Sequence, residues 1–276
     1  MASVTELLRA RFGVADDVED VPLNATLEGI LARRSIRKFQ DKPVPDALLR
    51  VLLACAQSAP AKSDLQQYSI IHVTDAAKKA TLAKLASTPW IETAPVVLVF
   101  CGDGRRARRI AELRGKPYGQ DTLDSFMNAA VDAGLALQAF LIAAEAAGLG
   151  CCAISQVRVQ IEAVADLLEL PDNVFPLAGL AAGWPDEARE VTLRLPPALV
   201  IHRNRYDDAN FSAEIDGYDA RRHGAFPIPA RGQFHNDLYG PAAFYGWSEH
   251  VARRLSRPEG RETLRAFLQA RGFKLD

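Results

Sequence analysis

The chain has 276 residues and a mass of 30.1 kDa, room for one large domain or two small ones, and 49% of its residues are hydrophobic, enough to bury a sizeable core. Lysine and arginine number 33 against 34 aspartates and glutamates, and a net charge near −1 argues against a general nucleic-acid binder. A basic cluster in such a chain is local, and local positive charge suits a small anionic ligand.

The N-terminus, M-A-S-V-T-E-L-L-R-A-R-F, carries charges throughout and has no long apolar run, so it does not read as a signal peptide, and a cytoplasmic location is expected. Residues 4–11 suggest a short helix. Asn24 can cap a second helix over residues 25–32, which runs into R-R-S-I-R-K-F-Q, Arg33 to Gln40. A third helix follows Asp46. Residues 58–67 form a polar loop before a β-branched strand at 69–73. Residues 76–86 are helical, and P-V-V-L-V-F at 95–100 is a buried strand. The longest helix spans 123–147. It is apolar on nearly every face, although Asp132 and Glu145 argue against a membrane span. Its alanines allow close backbone approach, and burial all round would make it the core helix of a monomer or a helix covered by a second subunit. Gly148 and Gly150 stop it. A helix at 159–168 and a strand at 177–182 follow. Residues 207–246 are rich in glycine, proline and aromatics, with weak periodicity, and suggest an extended arm or lid. Residues 247–272 are helical, divided at Pro258 and stopped at Gly272.

Arg33, Ser35 and Arg37 alternate by two, so an extended segment would place them on one face. Arginine forks and a serine hydroxyl suit a phosphate group, against the plainer reading of a solvated basic edge. No G-x-G-x-x-G follows a strand and no G-x-x-x-x-G-K-[ST] occurs, so side chains would have to hold a phosphate. Arg105, Arg106, Arg108 and Arg109 form a second basic run that reads as a solvated helix ahead of a nucleotide contact. The four cysteines have no C-x-x-C spacing and read as reduced. Cys151 and Cys152 read as small packing residues, and the scattered histidines as structural.

Several segments together resemble the FMN-dependent nitroreductase family: R-R-S-I-R-K-F, then S-A-P-A-K-S-D-L-Q-Q-Y-S-I-I, A-A-E-A-A-G-L-G-C-C-A-I-S and L-P-D-N-V-F-P-L-A-G-L-A-A-G-W-P. R-L-P-P-A-L-V-I-H-R-N-R-Y, the late G-W-S-E-H and the terminal R-G-F look most like its NADPH-preferring flavin and nitro reductases. The resemblance runs in order from Leu23 to Phe273. It implies an α+β fold with a mostly antiparallel central sheet flanked by helices, in a homodimer that shares two FMN sites at its interface. Residues 1–206 would be the FMN-binding core, and 207–276 a C-terminal arm and helix extension serving as a lid or dimer-embracing segment.

By the same resemblance Arg33, Arg34, Ser35 and Arg37 correspond to the family's first FMN motif. Ser63 and Gln66 match positions that reach FMN from the partner subunit. Ala153, Ile154, Ser155 and Gln156 match the segment past the isoalloxazine, and Arg194 a basic residue near the phosphate. Arg221, Arg222 and Arg231 are candidates for the NADPH phosphates. The implied activity passes hydride from NAD(P)H through flavin N5 to a nitroaromatic, quinone or flavin. The chemistry is carried by the cofactor, with no catalytic side chain and no metal. The alternative is a non-catalytic flavin-binding protein, or a specialised dehydrogenase or dehalogenase, on the same fold. Two departures bear on substrate range: Thr192 where a second basic residue is common, and Ser155-Gln156 where a glycine pair is typical.

Overall fold

The computed structural model describes residues 3–14 and 21–276; Met1 and Ala2 of the charged N-terminal stretch lie outside them. In chain order the elements are α1 (Val4–Phe12), α2 (Ala25–Ala32), α3 (Asp46–Gln57), β1 (Tyr68–His72), α4 (Ala76–Leu85), β2 (Val96–Asp103), α5 (Arg105–Leu113), α6 (Leu123–Ala146), β3 (Gly150–Ile154), α7 (Ile161–Leu167), β4 (Val174–Gly183), α8 (Phe211–Ala225), α9 (Asn236–Tyr239), α10 (Trp247–Leu255) and α11 (Leu264–Ala270). They fall into two compact units, residues 1–33 with 190–259 and residues 34–189 with 260–276.

The second unit holds one sheet, ordered β1-β2-β4-β3, with every pair antiparallel. The apolar run in β2 has a direct cause. Side chains alternate along a strand, and both faces of β2 are covered. Val97, Val99 and Cys101 pack in a layer with Leu82, Val164 and Phe267, from α4, α7 and α11. Val96, Leu98 and Phe100 pack in the opposite layer with Leu49, Leu52, Ala136 and Phe140, from α3 and α6. The strand is buried along its whole length and runs three residues past Phe100.

Helix α6 departs from the expected burial on all sides. It is the one described helix long and apolar enough by composition to cross a membrane, but it buries Ala133, Ala136, Phe140 and Ala144 in the layer under β2. Leu123, Met127, Val131 and Leu135 recur every fourth residue and are 49, 54, 51 and 38% exposed. A single sheet can cover only one side of a helix, and the other side keeps an apolar stripe.

The first unit is organised around buried arginines. Arg11 of α1 donates from Nε and Nη2 to the Leu31 carbonyl at 3.0 and 2.6 Å, from Nη2 to Arg33 O at 2.6 Å and from Nη1 to Thr192 O at 3.2 Å. The stretch expected to be an extended arm contains the 15-residue helix α8. Its few apolar residues suffice because Tyr218 and Ile215 are buried and Asp219 caps α10, accepting from the Ser248 N–H at 2.9 Å and from the Ser248 hydroxyl. Part of the aromatic anchoring is present. Tyr245 is buried and accepts from the Phe234 N–H at 3.0 Å, whereas Tyr206 and Phe244 are exposed.

The outer edge of β3 has no partner strand among the described residues. The segment after Arg34 lies against it instead: Ser35 bridges Cys151 in parallel fashion, and the Ile36 N–H donates to Cys151 O at 3.0 Å. This approach requires glycine at the start of β3. A Cβ on Gly150 would lie 2.7 Å from Ile36 Cβ. Gly150→Val should therefore cost about 1–3 kcal/mol by overpacking, and lower Tm by roughly 2–4 °C per kcal/mol, as measured by thermal unfolding. An unchanged Tm would show that the segment can move off β3 freely.

Candidate functional site

Arg34, Ser35 and Arg37 open the second unit, and Arg33 closes a stretch of the first. Beyond its bond to β3, the segment is laced to the exit of β4. The Gln40 N–H donates to Trp184 O at 2.8 Å, and the Asp186 N–H to Lys38 O at 2.9 Å. Glu187 Oε1 accepts from the Arg37 and Lys38 N–H groups at 2.7 and 3.2 Å. Partial burial alone would raise the Glu187 pKa. The hydrogen bonds from Arg37, Arg189 and Lys38 outweigh it and hold the carboxyl below its ordinary range. The backbone is thus fixed, while the Arg37 guanidinium is exposed and has no hydrogen bond or ion pair among the described residues.

Ala153, Ile154, Ser155 and Gln156 follow on the same strand. β3 is buried at Cys151, Cys152 and Ile154 but open at Ala153. After Ile154 the chain turns into a single 3₁₀ turn, Ser155–Arg158, with no side-chain cap. The first N–H groups of such a turn have no partner within it. Gly179 of β4 pairs with Ile154, and a Cβ there would lie 3.2 Å from Val157 Cγ1, so the turn packs tightly on the sheet. Ser155 and Gln156 are both exposed. Their side chains are held by a residue with no signal in the sequence: Arg261 Nη2 donates to Ser155 Oγ at 3.1 Å and to Gln156 Oε1 at 3.2 Å.

Ser63 and Gln66 lie in a loop of unusual backbone geometry. Ser63, Asp64 and Gln66 have φ of 51, 58 and 51°, in the left-handed region that non-glycine residues seldom enter. Asp132 of α6, 1% exposed, holds both ends of the loop: Oδ1 accepts from the Lys62 N–H and Oδ2 from the Gln67 N–H, each at 2.9 Å. The side that faces α5 is held by Arg106, which donates to Gln66 O at 2.6 Å and to Ser69 Oγ at 2.9 Å and pairs with Asp103 at 3.2 Å. A hollow of about 700 Å³ opens beside Gln66, Tyr68 and Arg106. A second, about 570 Å³, lies between β1 and α5 and is bordered by Arg105, Arg106 and Arg109. The basic run on α5 is therefore not uniformly solvated. Arg106 supports the loop, and Arg108 pairs with Asp121 at 2.5 Å and stacks on Tyr118.

In the first unit Arg11 joins two expected site residues through their backbones, binding Arg33 O and, through its own carbonyl, the Arg194 N–H at 2.8 Å. Arg194 Nη1 donates to Thr192 Oγ1 at 3.4 Å, so the departure at Thr192 supplies a hydroxyl contact in place of a cation. Burial raises the pKa of Tyr218, and the charges of Arg222, Arg194 and Arg221 oppose the shift, which places those three arginines about one phenol. Arg221 Nε is buried with no hydrogen-bond partner among the described residues, and Arg222 donates to Phe226 O at 3.0 Å. Arg231 is exposed.

The histidines and cysteines are quiet. Burial, with Lys79 beside it, lowers the pKa of His72, and burial with Arg254 and Arg222 lowers that of His250. Burial, with Asp103 nearby, pushes the Cys101 thiol up to about 12, so it stays protonated. Cys151 and Cys152 are buried in β3.

A family model described as the nitroreductase family matches residues 30–184, and one for that family's C-terminal domain matches residues 193–276. The FMN reductase [NAD(P)H] of Bacillus subtilis is 34% identical over 92% of this chain and 100% of its own length. The NADPH-flavin oxidoreductase of Vibrio harveyi is 34% identical over 91 and 99%. Among solved structures, NfrA2 of B. megaterium superposes with a TM-score of 0.83 at 36% identity, covering 92% of this chain and 100% of that one.

The loop anchor predicts its own test. Asp132→Ala leaves two N–H groups without an acceptor, at about 1–3 kcal/mol each. Urea denaturation should show a loss of about 2–6 kcal/mol, with faster hydrogen exchange at Lys62 and Gln67. Asp132→Asn, which keeps one acceptor, should lose less. Equal exchange rates in all three proteins would rule out the anchor.

Proposed function

The chain belongs to the nitroreductase family, and from that premise we propose that it is a soluble, cytoplasmic, FMN-dependent oxidoreductase that uses NAD(P)H to reduce a nitroaromatic, quinone or flavin. The observation that carries the reading is the alignment of two features on one strand. The uncommitted Arg37 guanidinium and the Ser35 hydroxyl sit on a segment bonded to β3, and the same strand continues into the open Ala153 and the uncapped turn at Ser155 and Gln156.

That donor set fits FMN. Phosphate needs cations and hydroxyls: the second unit offers Arg34, Ser35 and Arg37, and Arg33 and Arg194 of the first unit are the further candidates. The edge of a flavin ring needs N–H donors, and the first amides of the turn are without intrahelical partners. When bound, FMN supplies at N5 the site that accepts and passes on hydride. The protein's part is to position and to shield. Arg37 and Ser35 would hold the phosphate, and the left-handed loop would present Ser63 and Gln66. Arg221 and Arg222 are the candidates for the nicotinamide dinucleotide's phosphates, with Arg231 as a further one; of the extension 207–276, the part before α11 is the candidate lid or dimer-embracing segment, since α11 itself packs in the core of the second unit.

We also propose a homodimer. The stripe Leu123, Met127, Val131 and Leu135 on α6 is an apolar surface of the kind that a second subunit covers, and α2 exposes Leu27 and Ile30 with no buried residue of its own. Ala136 is on the opposite, core-facing side of α6.

Anaerobic titration of the yellow protein with NADPH and with NADH tests the function directly. Bleaching of the flavin band, followed by its return on adding a quinone or nitroaromatic, is the expected result. Stable colour with both nucleotides would favour a non-catalytic flavin binder. Arg37→Ala should weaken FMN binding about tenfold or more and spare riboflavin, since a charge-assisted bond is worth roughly 1.5–3 kcal/mol. Equal weakening for both ligands would show that Arg37 does not read the phosphate. Val131→Arg should yield a monomer by light scattering and release flavin together with the dimer contact. A dimer that keeps its flavin would place the interface elsewhere.

A further inference from the structure

Arg261 arises from the last segment of the chain and reaches back to the turn after β3. Gly260 before it has φ +76°, and a Cβ there would lie 3.4 Å from Val159 Cγ1, so the turn that delivers Arg261 packs directly beside the segment it contacts. The helix after it is rigidly seated. Phe267 and Leu268 of α11 are buried in the layer with Val164 of α7. Arg271 donates to Leu170 O at 3.0 Å and to Asp166 Oδ1 at 2.6 Å. Phe273 packs edge-on against Phe126 and Phe175.

One guanidinium nitrogen, Arg261 Nη2, then holds two side chains at once, through Ser155 Oγ and Gln156 Oε1. Neither of the two residues has any other side-chain hydrogen bond among those described. A free Gln on an exposed turn would sample several rotamers and sweep the space around it. Arg261 restricts it to one. A second guanidinium, Arg158, lies close enough for the Arg261 charge to oppose its own, and it is held in place by a bond to Leu177 O.

We propose that Arg261 is a specificity-determining residue for the electron acceptor: it holds the Ser155 and Gln156 side chains in a single arrangement and thereby sets the room left beside the turn that follows β3. Freed of the clamp, the two side chains can leave that space, which gains room that a fused-ring acceptor needs and a single-ring one does not. This rests on the reading of residues 153–156 as the flavin-edge segment. The role is one of position. Arg261 touches the two side chains, not the reacting atoms, and its effect is transmitted through them.

The test compares wild type, Arg261→Ala and Arg261→Lys with a single-ring and a fused-ring quinone as acceptors. The Ala variant should change the ratio of the two KM values on the order of fivefold in favour of the fused-ring quinone, the size expected for one partly exposed contact. Lys offers a single compact cation on a flexible stem and should recover only part of the discrimination. The mutational effects should not add: in a Ser155→Gly, Gln156→Gly background, Arg261→Ala should leave the ratio where it is. A readout independent of flavin is the NMR signal of the Gln156 side-chain amide in the apoprotein, which should sharpen and shift toward the free-glutamine position in the Ala variant. An unchanged KM ratio in a flavin-loaded, active enzyme would overturn the proposal, as would full additivity. Failure to bind FMN at all would instead overturn the functional reading, and the amide signal would still report whether the clamp exists.

Discussion

Much of the candidate site depends on a missing methyl group. Because Gly150 has no Cβ, Ile36 can lie against the start of β3, and the Ile36 N–H can bond to Cys151 O. That contact turns a flexible basic stretch into the outermost rung of a sheet. It also sets the register between the arginine-serine segment and the strand that ends at Ile154. A bond of this kind contributes only about 0.5–1.5 kcal/mol. Its consequence is geometric: the lacing to Trp184, Asp186 and Glu187 continues from it.

What was legible in the sequence follows the range over which each signal acts. The apolar run of β2 and the long α6 declare themselves because burial on one or both faces imposes a period that neighbouring residues share. The arginine-serine segment was legible as chemistry and, through the resemblance, as a site. β3 was not legible as a strand, because G-C-C-A-I is short and follows directly on a glycine stop. Helix α8 was missed for the opposite reason. It contains Gly217 and Gly224 and few apolar residues, and it is held by particular contacts at Tyr218 and Asp219 in place of a continuous stripe.

The residues whose structural role was missed are Arg11, Asp132 and Arg261. Each is a single charged side chain on or beside a helix, a pattern that ordinarily marks a solvated face. Each instead satisfies groups far away in the chain: the carbonyls of Leu31, Arg33 and Thr192, the amides of Lys62 and Gln67, and the side chains of Ser155 and Gln156. Propensity and periodicity are blind to such long-range pairings. Buried or half-buried charges of this type hold positions more than they add stability, since desolvation offsets much of what their hydrogen bonds contribute. In this protein they are concentrated on the segments next to the candidate site.

The backbone of the Ser63–Gln66 loop limits how the family scaffold can diversify at this corner. A left-handed φ at Ser63, Asp64 and Gln66 is tolerable for serine, aspartate and glutamine and better still for asparagine or glycine, but it is sterically hostile to valine, isoleucine and threonine. Random mutagenesis of the loop would therefore return a narrow alphabet, small or polar, whatever acceptor is used for selection. Hydrophobic remodelling of the pocket would have to come from positions with ordinary backbone angles. The accessible evolutionary paths here are set by torsion angles before they are set by ligand fit.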